Sequence, residues 1–268
     1  MAPKKQGQIK RKAPREPFEE ICYARNCLKD VIVRVDLASP IESLAKELPK
    51  EIAKVALLNF PIEEPKPVVA QEMRVVGKEI QTTMKELTEW NFHGVQRDKR
   101  LVIAPKTFFI SYTRYSDYEV LRGELEKISS AFFSRFEDAQ ASRLGLRYVN
   151  ELKMPGDNVL DWHDHVDASL LGMLSYRVEE AEPSRIFTTF DHVYVDEGFN
   201  MRFQFGLHNP DYPAPIRRRL FVLDFDAYCQ GPLDAEDIPG ALDKYHKAIQ
   251  SLFERSITDK MREVLNEG

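Results

Sequence analysis

The stretch Arg143-Leu-Gly-Leu-Arg-Tyr-Val-Asn150 alternates between charged or small residues and larger ones. Successive residues of a β-strand point to opposite faces. Both leucines, Tyr148 and Asn150 therefore fall on one face, and both arginines fall on the other. Gly145 lies among the arginines, where a bulky side chain or a neighbouring backbone can approach closely. We predict that this stretch is a central, largely buried strand.

An amphipathic helix is predicted immediately before this strand. Its apolar residues recur every three or four positions, as on the buried face of a helix: Leu121, Leu125, Ile128, Phe132 and Phe136. Ser116 and Glu119 have the spacing of a capping box, in which each side chain binds a free backbone N–H of the first turn. The predicted helix thus begins near Ser116.

Short alternating runs make up most of the remaining chain. They are predicted as strands at 29–37, 75–80, 90–95, 100–104, 107–113, 185–195, 201–207 and 220–228. Several gaps between them have the length of a hairpin turn, which favours antiparallel pairing. Runs of strands followed by helices, here including a long C-terminal helix over 242–265, are typical of the α+β class. We predict antiparallel sheets covered by amphipathic helices.

Two halves of the chain share a weak pattern. Phe132-Phe-Ser-Arg135 near the end of the first long helix matches Leu252-Phe-Glu-Arg255 in the second, and strands precede both. We interpret residues 18–268 as a single domain made of two strands-then-helix pseudo-repeats, about 23–153 and 154–268. Residues 1–17, which hold three prolines and few apolar residues, are predicted to be a disordered basic tail.

The composition bounds the class of protein. The chain has 43% hydrophobic and 30% charged residues and a net charge of −5, which are ordinary values for a globular protein. Three cysteines without a close pair favour a reducing, cytoplasmic location. No apolar run is long enough to span a membrane. The part of the chain that follows the basic N-terminal residues is acidic and repels the phosphates of nucleic acid. Binding to nucleic acid is therefore expected only through the basic residues at 4–15.

The central phrase, Arg-x-Gly-Leu-Arg-Tyr-x-Asn, resembles the recurring motif of a sporadically distributed prokaryotic family of uncharacterised proteins of about 260 residues. The resemblance covers about residues 20–265, with further similar positions at Tyr23, Asn26, Trp162 and His246. It implies no activity, because none is established for that family. The patchy distribution of the family implies a mobile or defence-type gene context.

Candidate metal ligands lie in Asp161-Trp-His-Asp-His-Val-Asp167. If this segment is extended, four potential ligands share one face, and such a set suits Zn²⁺, Mn²⁺ or Fe²⁺: Asp161, His163, His165 and Asp167. No further ligand is identifiable from the sequence. The alternative, which two histidines alone favour, is a polar loop with Asp167 near the cap of the next helix.

Candidate ligand-binding residues lie in the central strand itself: Arg143, Arg147, Tyr148 and Asn150. In one interpretation Arg147 lines a concave site for a phosphate or a carboxylate. In the other, which we favour, both arginines pair with Asp224 and Asp226 across neighbouring strands and fix the register of the sheet. His246, in the middle of the C-terminal helix, is interpreted as a partly exposed or a hydrogen-bonded core histidine.

The sequence contains no phosphate-binding glycine loop, nucleophile elbow or metalloprotease motif. This pattern favours a non-enzymatic binding or adaptor protein that acts in a protein assembly, with another protein or with itself. The first alternative is a metal-dependent enzyme or ligand-binding protein that uses His163 and His165. The second is a nucleic-acid-associated protein that acts through residues 4–15.

Overall fold

The computed structural model describes residues 21–76, 79–176 and 180–267. The predicted tail at residues 1–17 lies outside these ranges. Within them, no helix combines the length and the apolar character that crossing a membrane requires. Ten strands and four α-helices are found in the described residues.

The strands are β1 (Leu28–Leu37), β2 (Ile62–Glu63), β3 (Lys66–Val76), β4 (Glu79–His93), β5 (Lys99–Ala104), β6 (Thr107–Tyr112), β7 (Ala141–Lys153), β8 (Ile186–Tyr194), β9 (Phe199–Leu207) and β10 (Leu220–Leu233). The helices are α1 (Lys50–Asn59), α2 (Tyr118–Arg135), α3 (Ile238–Ser256) and α4 (Asp259–Asn266). The predicted α+β class is therefore confirmed.

The strands form one antiparallel sheet rather than several. Its order is β2-β4-β5-β6-β1-β7-β10-β9-β8, and β3 pairs only with β4. Strand β1 lies between β6 and β7, where Val33 pairs with Ile110 on one side and Leu146 on the other. This position is near the middle of the order, so β1 and β7 form the centre of the sheet.

The helices cover one face of the sheet, and the main core lies between the two layers. Alternate residues of the central strands point into this core and are almost fully buried: Val31, Val33, Val35, Leu37, Leu144, Leu146 and Leu152. The predicted stripe of α2 meets them with Leu121, Leu125, Ile128 and Phe132, all buried. The opposite face of the sheet, which we call the open face, carries the charged residues of the same strands.

The two halves of the sheet have the same order of elements. A three-stranded meander and a helix form the first half (β4, β5, β6, α2) and the second (β8, β9, β10, α3), with β1 and β7 side by side at the junction. Strand β7 occupies the same position in the second half as β1 does in the first. This favours a boundary between the two halves just before Ala141, the first residue of β7. The internal duplication itself stays a prediction.

Two helix boundaries differ from the prediction. The cap of α2 is Asp117 rather than Ser116, because the Asp117 carboxylate accepts a hydrogen bond from the backbone N–H of Val120 at 2.8 Å. The long C-terminal helix is broken after Ser256, where Ile257 is extended and pairs with Val166. Thr258 then caps α4 through the N–H of Met261.

Two further segments are more extensively or differently structured than the sequence predicts. The prolines of 61–67 predict an extended connector, and this stretch holds β2 and the start of β3; the strand predicted at 75–80 belongs to a long hairpin of β3 and β4 that extends well beyond it. The leucine- and methionine-rich sequence of 168–178 predicts a short helix, whereas its described residues, up to 176, form two 3₁₀ turns, Ala168–Leu170 and Gly172–Ser175. Both segments lack the sustained apolar periodicity that identifies a packed element.

Candidate functional site

The central strand divides its motif residues between the two faces of the sheet. Arg143 and Arg147 lie on the open face, whereas Tyr148 and Asn150 point towards the helices and are buried. This confirms the predicted alternation of the strand. It also shows that the four candidate ligand-binding residues do not form a single site.

On the open face, Arg147 makes a two-pronged ion pair with Asp224 of β10. The Nε–Oδ1 distance is 2.8 Å and the second nitrogen–oxygen distance is 2.6 Å. Arg143 contacts Asp226 at 3.3 Å. These pairs confirm the predicted contact between the arginines of one strand and the aspartates of its neighbour. Because Arg147 faces Asp226 in register but binds Asp224 diagonally, a shift of either strand would break the pair.

Gly145 makes room for the side chain of Arg143. A Cβ atom at position 145 would lie 2.7 Å from a terminal nitrogen of the Arg143 guanidinium. The same guanidinium lies over the ring of Tyr228, 5.0 Å from its centroid. Burial raises the pKa of Asp226, and three nearby arginines, Arg143, Arg147 and Arg202, oppose that rise. The close approach predicted at the glycine is thus confirmed.

On the helix side, Tyr148 and Asn150 line a cavity of about 320 Å³ that we call the Tyr148 pocket. Its walls come from four segments: residues 21–28 before and within β1, residues 115–117 before α2, strand β7, and helix α3. Helix α3 contributes His246, Ile249, Gln250, Phe253 and Glu254. The pocket therefore unites both halves of the fold.

A chain of hydrogen bonds lies at the base of the Tyr148 pocket. The Tyr148 hydroxyl shares one hydrogen bond with Nδ1 of His246 and another with the Tyr115 hydroxyl, each 3.0 Å long. His246 and Tyr148 are both only 6% exposed. Burial lowers the pKa of His246 to about 4, so its imidazole is neutral at pH 7.

The imidazole of His246 is also held by a ring stack. It lies parallel to the ring of Tyr118, with 3.9 Å between centroids. The Tyr118 hydroxyl donates a hydrogen bond to Asp243, which also accepts one from Nε of Arg122 at 3.0 Å. Tyr118 of α2 and Tyr148 of β7 thus hold the histidine from two sides.

Asn150 forms a second buried polar contact beside the pocket. Its amide nitrogen donates to the carbonyl oxygen of Leu223 at 3.2 Å, and its oxygen accepts from the thiol of Cys27 at 3.5 Å. Burial raises the pKa of Cys27 to about 12. Since thiolates are the nucleophilic form of cysteine, this thiol is unreactive at neutral pH.

The outer wall of the pocket is tied down by charged and polar contacts. The Tyr23 hydroxyl donates to the carboxylate of Glu254 at 2.8 Å, and Arg262 donates to the same carboxylate at 2.9 Å. The Asn26 amide donates to the carbonyl oxygen of Tyr115 at 3.0 Å. These contacts fix the segment before β1 against both α3 and the loop before α2.

The electrostatics of the pocket favour binding over proton transfer. A general acid or base works best with a pKa near the working pH. Here burial moves the pKa of His246 down and that of Cys27 up, and it also raises the pKa of Tyr23 and Tyr118. Each of these shifts favours the neutral form at pH 7. The base of the pocket therefore presents neutral hydrogen-bonding groups, and charged side chains, Arg25, Asp117 and Glu254, lie elsewhere in its lining.

The candidate metal ligands do not converge. Residues 161–167 form a turn rather than an extended segment, because Trp162 is fully buried and the N–H of His165 binds the Trp162 carbonyl. In the part of the chain that the structure describes, no group of three or more histidines, cysteines or acidic residues could hold a metal ion. The shared face proposed for Asp161, His163, His165 and Asp167 is therefore wrong, since it required an extended backbone.

Other contacts account for several polar residues of this turn. Asp167 accepts a hydrogen bond from the N–H of Ser169 at 2.9 Å, as predicted for a helix cap. Asp164 pairs with Lys260 of α4. The ring of His165 is buried edge-on to Trp162, and burial lowers its pKa. These contacts join the turn to the C-terminal helices.

No family model matches the chain, and no curated protein is similar to it. The resemblance to the prokaryotic family therefore depends on the motif and the matching positions alone, and membership stays a prediction. Two residues of the motif, Tyr148 and Asn150, line the pocket together with three of the further matching positions, Tyr23, Asn26 and His246.

Several pocket residues were not identified from the sequence. Tyr115 and Cys27 line the pocket, and Tyr118 contacts it through the ring of His246; each reaches this place only through tertiary packing. His246 was interpreted as a core or partly exposed histidine, and the buried, hydrogen-bonded alternative is confirmed. The signal available in the sequence was the cluster of tyrosines at 112, 115 and 118, close to the start of a predicted helix.

Proposed function

We propose that this chain is a non-enzymatic binding protein that acts in a protein assembly, and that the Tyr148 pocket receives a side chain of the partner. The observation that carries this proposal is the convergence of Tyr148, Asn150 and His246 on one pocket, at whose base burial keeps the His246 imidazole neutral at pH 7. Neutral groups of this kind bind and orient a ligand without exchanging protons with it.

The size and the walls of the pocket support an apolar or aromatic side chain as the occupant. A volume on the order of 300 Å³ is at the lower end for sites that bind small molecules. Leu28, Ile249 and Phe253 supply apolar wall, while the hydroxyls of Tyr115 and Tyr148 lie at the base. Buried aromatic anchors with one polar end are frequent at the centre of protein interfaces.

The expected location is the cytoplasm, and the gene context implied by the resemblance is a mobile or defence-type cluster. The three cysteines are unpaired as disulfides in the structure, which supports a reducing compartment. The nucleic-acid alternative concerns residues 4–15, which lie outside the described residues, and it stays a prediction. The metal-dependent alternative, which uses His163 and His165, also stays a prediction, although these residues lie in a turn rather than in an extended segment.

Site-specific photo-crosslinking in the native host tests the proposal. A photoreactive phenylalanine analogue replaces Gln250, which lines the pocket, or Lys247, which is exposed on the same helix outside it. We expect a defined protein adduct from position 250 and none from position 247, identified by mass spectrometry after purification.

A competition arm distinguishes the pocket from the surface around it. With the photoreactive group at Arg25 on the rim, Gln250→Trp narrows the pocket and should abolish the adduct, whereas the matched Lys247→Trp should leave it intact. Absence of any protein adduct from position 250, or equal adducts in the presence of both tryptophan variants, would contradict the proposal.

A further inference from the structure

The strand β8 forms one edge of the sheet. All nine of its residues pair with β9, and no strand of the described residues lies on its other side. An edge strand presents a row of free backbone N–H and C=O groups to any chain that can align with it. The outer side of β8 is therefore a ready surface for strand addition.

This edge lacks the features that usually prevent pairing. Proteins commonly protect edges with lysines, prolines, bulges or very short strands. Strand β8 has the sequence Ile-Phe-Thr-Thr-Phe-Asp-His-Val-Tyr, with a single carboxylate, and Asp191 is bound by Arg202 of β9 at 2.9 Å. Exposed apolar residues lie along it, including Phe190 at 47%, Val193 at 69% and Val195 at 81% exposed.

The sequence of β8 is complementary to itself in the antiparallel direction. A two-fold axis through Phe190 places apolar residues opposite apolar ones and uncharged polar residues opposite polar ones of a second copy. The resulting pairs are Ile186 with Tyr194, Phe187 with Val193, Thr188 with His192, and Thr189 with Asp191. Like charges are not opposed anywhere in this register, whereas an axis through Asp191 would oppose two carboxylates.

The charges at the two ends of β8 are complementary in the same register. Arg185, exposed just before the strand, stands opposite Val195 of the second copy, next to the exposed Asp196 and Glu197 of its turn. Within one chain these groups are far apart, because the nine-residue strand between them spans about 30 Å. Only pairing between two chains brings the basic end to the acidic end, and it does so twice.

We infer that β8 is a self-association surface, on which a second copy of this chain adds its own β8 in the antiparallel register centred on Phe190. The two-fold axis is then perpendicular to the sheet, so both open faces point the same way and the two sheets join into one. This inference is independent of the Tyr148 pocket, which lies on helix α3 and strand β7.

Charge reversal tests the inference. Arg185→Glu opposes acidic groups at both ends of the dimer, and Asp196→Lys/Glu197→Lys opposes basic groups. We expect sedimentation equilibrium to give twice the 31.1 kDa chain mass for the wild type. Each variant alone should dissociate with a constant raised about tenfold or more. An equimolar mixture of the two variants should regain the wild-type constant, since both ends are then complementary.

Three results would overturn the inference. The first is a wild type that stays monomeric at about 100 μM, a protein concentration at which a dimer with a Kd in the micromolar range assembles. The others are unchanged association of both variants and no recovery in the mixture. Arg185→Gln is the control for Arg185→Glu, because it also removes the contact of Arg185 with the Tyr212 ring, 4.3 Å away, but adds no negative charge. A disulfide at the axis reports the register. In a Cys22→Ser background, Phe190→Cys should crosslink to itself on oxidation, and Val195→Cys should not.

Discussion

The imidazole of His246 lies flat on the phenol ring of Tyr118, with 3.9 Å between the ring centroids and 4° between the ring planes. The two residues belong to different helices, so the stack joins α3 to the start of α2. Nδ1 of the same imidazole meets the Tyr148 hydroxyl of the central strand. One buried histidine thus connects two helices and the sheet, and it does so in its neutral form.

Protonation of His246 should therefore destabilise the fold. Its pKa is lowered from 6.5 to about 4 by burial, so the unfolded chain takes up this proton before the folded chain does. The contribution is full above pH 6.5 and is lost as the pH falls towards 4. We expect the wild type to lose about 2 kcal/mol more unfolding free energy than His246→Gln between pH 7 and pH 5.

Urea denaturation at both pH values measures this difference. The wild type and His246→Gln contain the same carboxyl groups. The difference between the two proteins therefore cancels the effect of carboxyl titration on the unfolding free energy. Parallel losses in wild type and variant would show that the histidine does not carry the effect.

The ion pair between Arg147 and Asp224 should contribute more to stability than an exposed pair on the same face. The Asp224 side chain is 7% exposed, so Arg147→Ala leaves a buried carboxylate without its partner. Because Arg147 itself is half-exposed, we expect a loss of about 2 kcal/mol, below the usual cost for a fully buried pair. Arg34→Ala, which removes an exposed pair with Asp36, should cost at most about 0.5 kcal/mol.

A double variant separates the ion pair from the loss of packing. Arg147→Ala/Asp224→Asn removes the unpaired charge and should recover part of the 147 loss in the same denaturation assay. Additive effects of the two substitutions would contradict a coupled pair.

The two cysteines near the Tyr148 pocket should differ sharply in reactivity. Cys22 is exposed, whereas burial raises the pKa of Cys27 to about 12. At pH 8 we expect iodoacetamide to label Cys22 more than about a hundredfold faster than Cys27, because the thiolate is the reacting form. Peptide mapping by mass spectrometry gives both rates. Rapid labelling of native Cys27 would reopen the question of a catalytic thiol.

Local patterns in the sequence were sufficient for the central strands and the long helices. Strand β1 and helix α2 have strong periodicity, because each buries one face in the same core. The order of the strands could not be predicted in this way. That β1 pairs with both β6 and β7 depends on contacts between distant parts of the chain, which no local pattern encodes.

The pocket was predictable only in part, for a related reason. The motif drew attention to Tyr148 and Asn150, and its alternation correctly predicted that the arginines lie on the other face of the sheet. His246 lies 98 residues from Tyr148, so nothing in the spacing connects them. The metal hypothesis assumed an extended segment at 161–167, whereas this segment forms a turn around the buried Trp162.

The effect of Gly145→Ala should depend on the residue at position 143. The new Cβ would lie 2.7 Å from one guanidinium nitrogen of Arg143, so that side chain must leave Asp226 and Tyr228. We expect a loss of about 1 kcal/mol in the wild type, the usual net value of such contacts. In an Arg143→Ala background the clash is absent, and alanine should instead stabilise the strand by about 0.5 kcal/mol relative to glycine.

Denaturation of the wild type, both single variants and the double variant gives all four free energies. A change of sign between the two backgrounds identifies the guanidinium as the group that requires a glycine here. The same sign in both backgrounds would place the requirement in the backbone instead. The sign is informative because a strand glycine ordinarily costs stability, so its presence in the central strand needs a specific neighbour, and Arg143 is the neighbour that the structure provides.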